Sequence, residues 1–124
     1  MANADRRWHS THGVQLRRMW GIDIVSVRPV SSGYMLAFTY RVLDAKKAAP
    51  LMEKTNRPYL IDEVTGARLA VPAMENVGEL RQAVAPQSDR NYYMIFGNPG
   101  KLVQPGGRVS VVIGNFRADG LTVD

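Results

Sequence analysis

At 124 residues the chain has room for one hydrophobic core, because globular domains run at roughly 100 to 200 residues each. Apolar residues at 45% and charged residues at 22% are the balance of a soluble globule, which favours neither a disordered nor a membrane class, and no stretch approaches the roughly 18 uncharged apolar residues of a membrane span. The absence of cysteine removes disulfides, thiolate metal sites and cysteine nucleophiles together. The net charge of +5 is uneven: residues 1–20 hold four arginines against one aspartate, while the remaining 104 hold twelve bases against ten acids. The excess belongs to an irregular basic arm at 1–20, ahead of a nearly balanced body at 21–124.

The arm opens Met1-Ala2-Asn3-Ala4, which lacks an apolar core and is no signal peptide as written. Ala2-Asn3-Ala4 has the small-x-small form that precedes a signal-peptidase cut, so it reads either as the stub of a removed export signal or as chance. Arg6-Arg7 is not a twin-arginine signal, since nothing apolar follows it. The first strand is expected at Ile22–Val27, a β-branched run closed by Arg28-Pro29. Its apolar phase slips between Ile24 and Val25. A one-residue slip turns an outward face inward, so a bulge is predicted there.

After a turn at Ser31-Ser32-Gly33, residues 34–42 alternate, with Tyr34, Leu36, Phe38, Tyr40 and Val42 predicted on the core face. Asp44 is suited to cap one or two helical turns that end at Pro50, and Pro58 restarts extended chain. Residues 59–71 read as a hairpin turning on Thr65-Gly66. A two-residue loop would set Glu63 opposite Arg68 as an ion pair and line Leu60, Val64, Leu69 and Val71 on one face. Residues 72–89 form a longer connection, a candidate mobile loop, with a short helix expected at 77–83. The last unit runs from Asn91 to Gly97, turns at Asn98–Lys101 and again at Pro105-Gly106 in a type II turn, and continues from Arg108 to Phe116 before a final strand at 121–123. About seven closely spaced strands predict one all-β antiparallel sandwich.

The chain is poor in constellations that perform chemistry. Asp62 and Glu63 are the only adjacent carboxylates, and neighbours on a strand point to opposite faces, so they cannot act together as acid and base. No Gly-x-Ser-x-Gly elbow exists, and both histidines lie in the arm. Gly97–Lys101 has too short a glycine spacing, and no following Ser or Thr, for a phosphate loop. His9 and His12 stand three apart and six methionines are present, a combination that suits copper, although a structural site takes about four ligands and these methionines are scattered. Trp8, Trp20 and the tyrosines offer stacking groups for nucleic acid, but the basic residues are not clustered within the strands. Arginine with tryptophan is the composition of interface anchors, which makes Arg6, Arg7, Trp8, Arg17 and Arg18 the candidate partner-binding residues. Trp20, immediately before the first strand, is expected to fold back onto the body.

The segments Phe38-x-Tyr40-Arg41-Val42-Leu43-Asp44, Pro58-Tyr59-Leu60-Ile61-Asp62-Glu63-x-Thr65-Gly66, Asn98-Pro99-Gly100 and Pro105-Gly106-x-x-Val109-x-Val111-Val112-Ile113-Gly114-x-Phe116-Arg117 resemble a family of small bacterial proteins without an assigned activity. The resemblance spans residues 20–124 and implies an immunoglobulin-like sandwich, export, and periplasmic or surface placement. It brings no catalytic residues. The expectation is therefore a non-catalytic accessory subunit that binds a protein partner, with self-association open to it. The alternative is a periplasmic metal protein holding copper or another metal through His9 and His12.

Overall fold

The structure, a computed structural model, describes residues 13–53, 55–74, 78–79 and 86–124. Among them, short helix α1 (Val14–Trp20) leads into β1 (Ile22–Val30) and β2 (Met35–Val42). Helix α2 (Ala45–Ala48) and a 3₁₀ turn at Ala49–Met52 then lead to β3 (Pro58–Asp62) and β4 (Arg68–Ala70). The small strands β5 (Ala73–Met74) and β6 (Gly78–Glu79) precede β7 (Arg90–Gly97), β8 (Arg108–Ile113) and β9 (Phe116–Thr122). Two antiparallel sheets result, one ordered β1-β2-β7 and the other β4-β3-β8-β9, with β5 and β6 paired apart from both. The all-β expectation holds at this level, and the two main sheets hold seven strands among the described residues.

Alternation explains why the sheets close on each other. Leu36, Phe38, Tyr40 and Val42 of β2 are fully buried and meet Tyr92, Met94 and Phe96 of β7 on the same inner face. Leu60 of β3 and Val109, Val111 and Ile113 of β8 line the facing sheet, and both sets belong to one continuous core. Each such side chain contributes about 1.5 to 3 kcal/mol by leaving water. Tyr34, expected on the core face, lies beyond the strand and is exposed, with the Lys101 ammonium 4.9 Å from its ring centre. The predicted slip in β1 is a bulge: Ile24 pairs with Tyr40 and Ser26 with Thr39, leaving Val25 as the extra, half-exposed residue.

The structure departs locally from the expected pattern in four further places. The β3–β4 register is Leu60 opposite Leu69 and Ile61 opposite Arg68, two residues away from the expected pairing. Asp62 causes it. Its carboxylate accepts from the Thr65 hydroxyl at 2.7 Å and from the Val64 amide at 3.4 Å, while the Gly66 amide donates to the Asp62 carbonyl. This local network outcompetes the two-residue turn. Val64 is thereby left 84% exposed rather than in the core, and Arg68 stacks over Tyr59 at 5.0 Å instead of pairing with Glu63.

The second departure is at Gly114-Asn115, where the chain reverses so that Phe116 opens β9 opposite Ile113 rather than ending β8. The third is the arm. Its described part is helical at Val14–Trp20, because Leu16 and Trp20 recur on one side and dock on the core, Trp20 meeting Phe116 edge-on at 5.5 Å. Of the helix expected at 77–83, residues 78 and 79 form β6 instead, and the rest lies outside the described residues. The Pro105-Gly106 turn forms as expected, with Gly106 at φ +87° and the Gly107 amide donating to the Gln104 carbonyl.

Candidate functional site

The bottom end of the sandwich is built by α1, α2 and the ends of β2 and β7. Gly21 closes α1 in the left-handed conformation, its amide donating to the Arg17 carbonyl, and its own carbonyl accepts from the Leu43 and Asp44 amides at 2.7 and 3.0 Å. A Cβ at position 21 would stand 2.6 Å from the Asp44 Cβ and 3.1 Å from the Lys47 Cβ, so glycine is what lets the two helices approach. Asp44 caps α2 as expected, accepting from the Lys46 and Lys47 amides at 3.0 and 3.2 Å. The two lysines therefore stand exposed beside the last turn of α1, which carries the exposed Arg17 and Arg18. Arg41 and Arg90 extend the cationic surface along the lower rim of the three-stranded sheet.

The acids at this end are engaged. Asp23 lies 3.4 Å from Arg17, Asp89 lies 3.7 Å from Arg41, and Asp44 is held in its cap. Among the described residues no carboxylate lies within ion-pair distance of Arg18, Lys46, Lys47 or Arg90. Met19 and Leu43 add exposed apolar surface beside these charges, at 59% and 39% exposure. The result is a cationic patch with apolar anchors, a composition that attracts an acidic partner over long range and then holds it by desolvation.

Of the sequence-predicted binding residues, Arg17 and Arg18 lie on this patch. Arg6, Arg7 and Trp8 lie outside the described residues, as do His9 and His12 of the metal alternative. Among the described residues no three carboxylate or imidazole groups converge to hold a metal ion, and no helix is long and apolar enough to cross a membrane. Sequence reasoning missed Lys46 and Lys47 as site residues. The signal was present in the Asp44 cap, which fixes where the two lysines stand on α2, but their nearness to the end of α1 depends on the contact at Gly21.

A second polar cluster lies on the outer face of the four-stranded sheet, lining an open depression of about 360 Å³ with Ile61, Glu63 and Arg117. Ser110 is 2% exposed although it faces outward, because Glu63, Arg117 and Asp119 fold over it. Its hydroxyl donates to Asp119 at 2.7 Å, with the Glu63 carboxylate 3.2 Å away. Glu63 also accepts the Gly120 amide at 2.7 Å, and Arg117 donates to Asp119 at 2.8 Å. The cause is a bulge in β9: Val109 pairs with Leu121 and Val111 with Ala118, so Asp119 and Gly120 together oppose Ser110. Glu63 satisfies the amide that the bulge removes from the ladder. These polar groups lock a strand irregularity. The buried Asn98 does the same for the loop after β7, donating to the Gly33 and Val103 carbonyls and accepting the Val103 amide.

Against known proteins, the chain matches no family model, no curated protein and no solved structure to a significant degree.

Proposed function

We propose that the protein is a non-catalytic binding module that docks an acidic protein surface with the end formed by α1 and α2, as an accessory subunit of a larger exported assembly. The observation that carries this reading is the close approach of α1 and α2 at Gly21, which brings to one end of the fold the exposed Arg17, Arg18 and Met19 of one helix and the exposed Lys46 and Lys47 of the other, with Leu43 between them in the chain. Exported, periplasmic placement follows the resemblance of residues 20–124 to exported bacterial proteins. An immunoglobulin-like sandwich is supported by the strand order, in which β7 returns to pair beside β2 while β3 and β8 form the centre of the opposite sheet. The employment of the buried Asp62, Asn98 and Ser110 in turns and a bulge supports a scaffold rather than a reaction centre.

The test is purification of the native assembly at low salt, identification of the co-purifying protein, and titration of that protein by calorimetry. Reversing Arg18, Lys46 and Lys47 together to Glu is expected to weaken binding at least about tenfold, and raising salt from 50 to 500 mM to weaken the wild type similarly, as screening of exposed charges requires (roughly a 10 Å screening length at 0.1 M). Affinity indifferent to both changes overturns the reading.

A further inference from the structure

The outer face of the four-stranded sheet has a charge pattern that complements itself. Strand pairing sets its outward residues in rows. One row runs Arg68 on β4, Ile61 on β3, Ser110 on β8 and Asp119 on β9. The next toward the bottom runs Ala70, Tyr59, Val112 and Arg117, and the one above sets Glu63 on β3 beside Arg108 on β8, joined by the Glu63 amide to the Arg108 carbonyl. The Arg68 row thus carries opposite charge on its two flanks, and the two inner strands carry the part-buried Tyr59 and Ile61 beside Val112, which is only 8% exposed.

A twofold axis lying along the strand direction between β3 and β8 lays β4 of one copy on β9 of the other and β3 on β8. In that arrangement Arg68 meets Asp119 of the second copy and Glu63 meets Arg108 of the second copy. Each contact occurs twice. Asp119 already holds its own Arg117 at 2.8 Å and accepts the Ser110 hydroxyl at 2.7 Å, yet its side chain remains 54% exposed, and Arg68 stands exposed over Tyr59. We infer that the protein associates with a second copy of itself face to face through the outer surface of the four-stranded sheet, held in register by reciprocal Arg68 and Asp119 ion pairs. Sheets packed in this way keep their strands within about 30° of each other, so the rows stay in register across the short face. At roughly 19 by 17 Å, from strand spacing and residue rise, the face is smaller than the about 800 Å² per partner of a permanent interface, which makes the dimer weak and reversible.

Sedimentation equilibrium from about 10 µM to 1 mM protein tests this on the whole chain. The wild type is expected to shift from monomer toward dimer with concentration. Arg68→Asp alone and Asp119→Arg alone each place like charges at both contacts, so each is expected to remain monomeric. Mixed in equal amounts they restore both pairs, and a heterodimer is expected to appear. Circular dichroism and a thermal melt establish that each variant is folded; because Asp119 and Glu63 also lock the β9 bulge, Arg68→Ala and Arg108→Ala, which leave it intact, stand in for any variant that is not, and each is expected to weaken the dimer at least several-fold, an unchanged dimer overturning the inference. A wild type that stays monomeric at 1 mM overturns the inference, and so does a dimer that survives both single variants. A mixture of folded variants that stays monomeric overturns it equally. The basic end takes no part in these contacts, so this experiment and the partner titration fail independently.

Discussion

Single residues decide how the loops of this sandwich hold their shape. Asn98 is fully buried and makes three hydrogen bonds that join the β1–β2 turn to the loop before β8. Asn98→Ala leaves two carbonyls and an amide without partners, at a cost of about 3 kcal/mol in chemical denaturation. Asn98→Asp is expected to be no better, because it replaces the donating amide with an acceptor facing the Gly33 and Val103 carbonyls. Gly21 is the second such position: alanine there would hold φ at +59° against the Asp44 Cβ, and Gly21→Ala should lower stability by at least about 2 kcal/mol. Phe38 makes the same point for packing. It is fully buried and stacks on Tyr40 at 5.5 Å, and Phe38→Ala is expected to cost about 3 to 5 kcal/mol.

At the scale of elements, the β3–β4 hairpin shows how a local hydrogen-bond network overrides an attractive side-chain pairing. The apolar and charge patterns both favoured a turn on Thr65-Gly66, with Val64 inside and Glu63 opposite Arg68. The Asp62 carboxylate instead gathers the Val64 amide and the Thr65 hydroxyl into a wider loop, moving Val64 out and leaving Leu60 opposite Leu69. Two substitutions measure this register. Val64→Ser is expected to change stability by less than about 0.5 kcal/mol, whereas Leu69→Ala should cost about 2 to 5 kcal/mol; equal losses at both sites would refute the pairing. The strand faces of β2 and β8 and the bulge in β1 were legible in the sequence, because alternation is a property of consecutive residues. Helix α1 was not legible. Seven residues are too few to be helical on propensity alone, and the docking of Leu16 and Trp20 on the core is what sustains it.

For the whole molecule, the distribution of charge matters more than its sum. Reversing Arg18, Lys46 and Lys47 removes two charges each, six in total, and takes the net charge from +5 to −1. Because these cations have no acidic partner among the described residues, the reversal is expected to leave stability within about 1 kcal/mol of the wild type while abolishing attraction to an acidic partner. Melting temperature and partner affinity measured on the same variant separate the two effects. The outer face of the four-stranded sheet presents the other kind of surface, three arginines interleaved with two acids, at a site that shares no residue with the basic end.

The sequence by itself determined that the chain folds as antiparallel strands, which residues of β2 and β8 face inward, and where the bulge in β1 falls. These follow from periodicity and from the backbone limits of proline and glycine, which act over a few residues. Tertiary structure alone decided that Glu63 serves an amide 57 residues away, that Ser110 is buried on an outward face, and that two arginines and two lysines share one end. Each of these depends on which strands become neighbours. That choice is made by the closing of two apolar faces on a common core, a free energy summed over the whole chain that no local segment encodes.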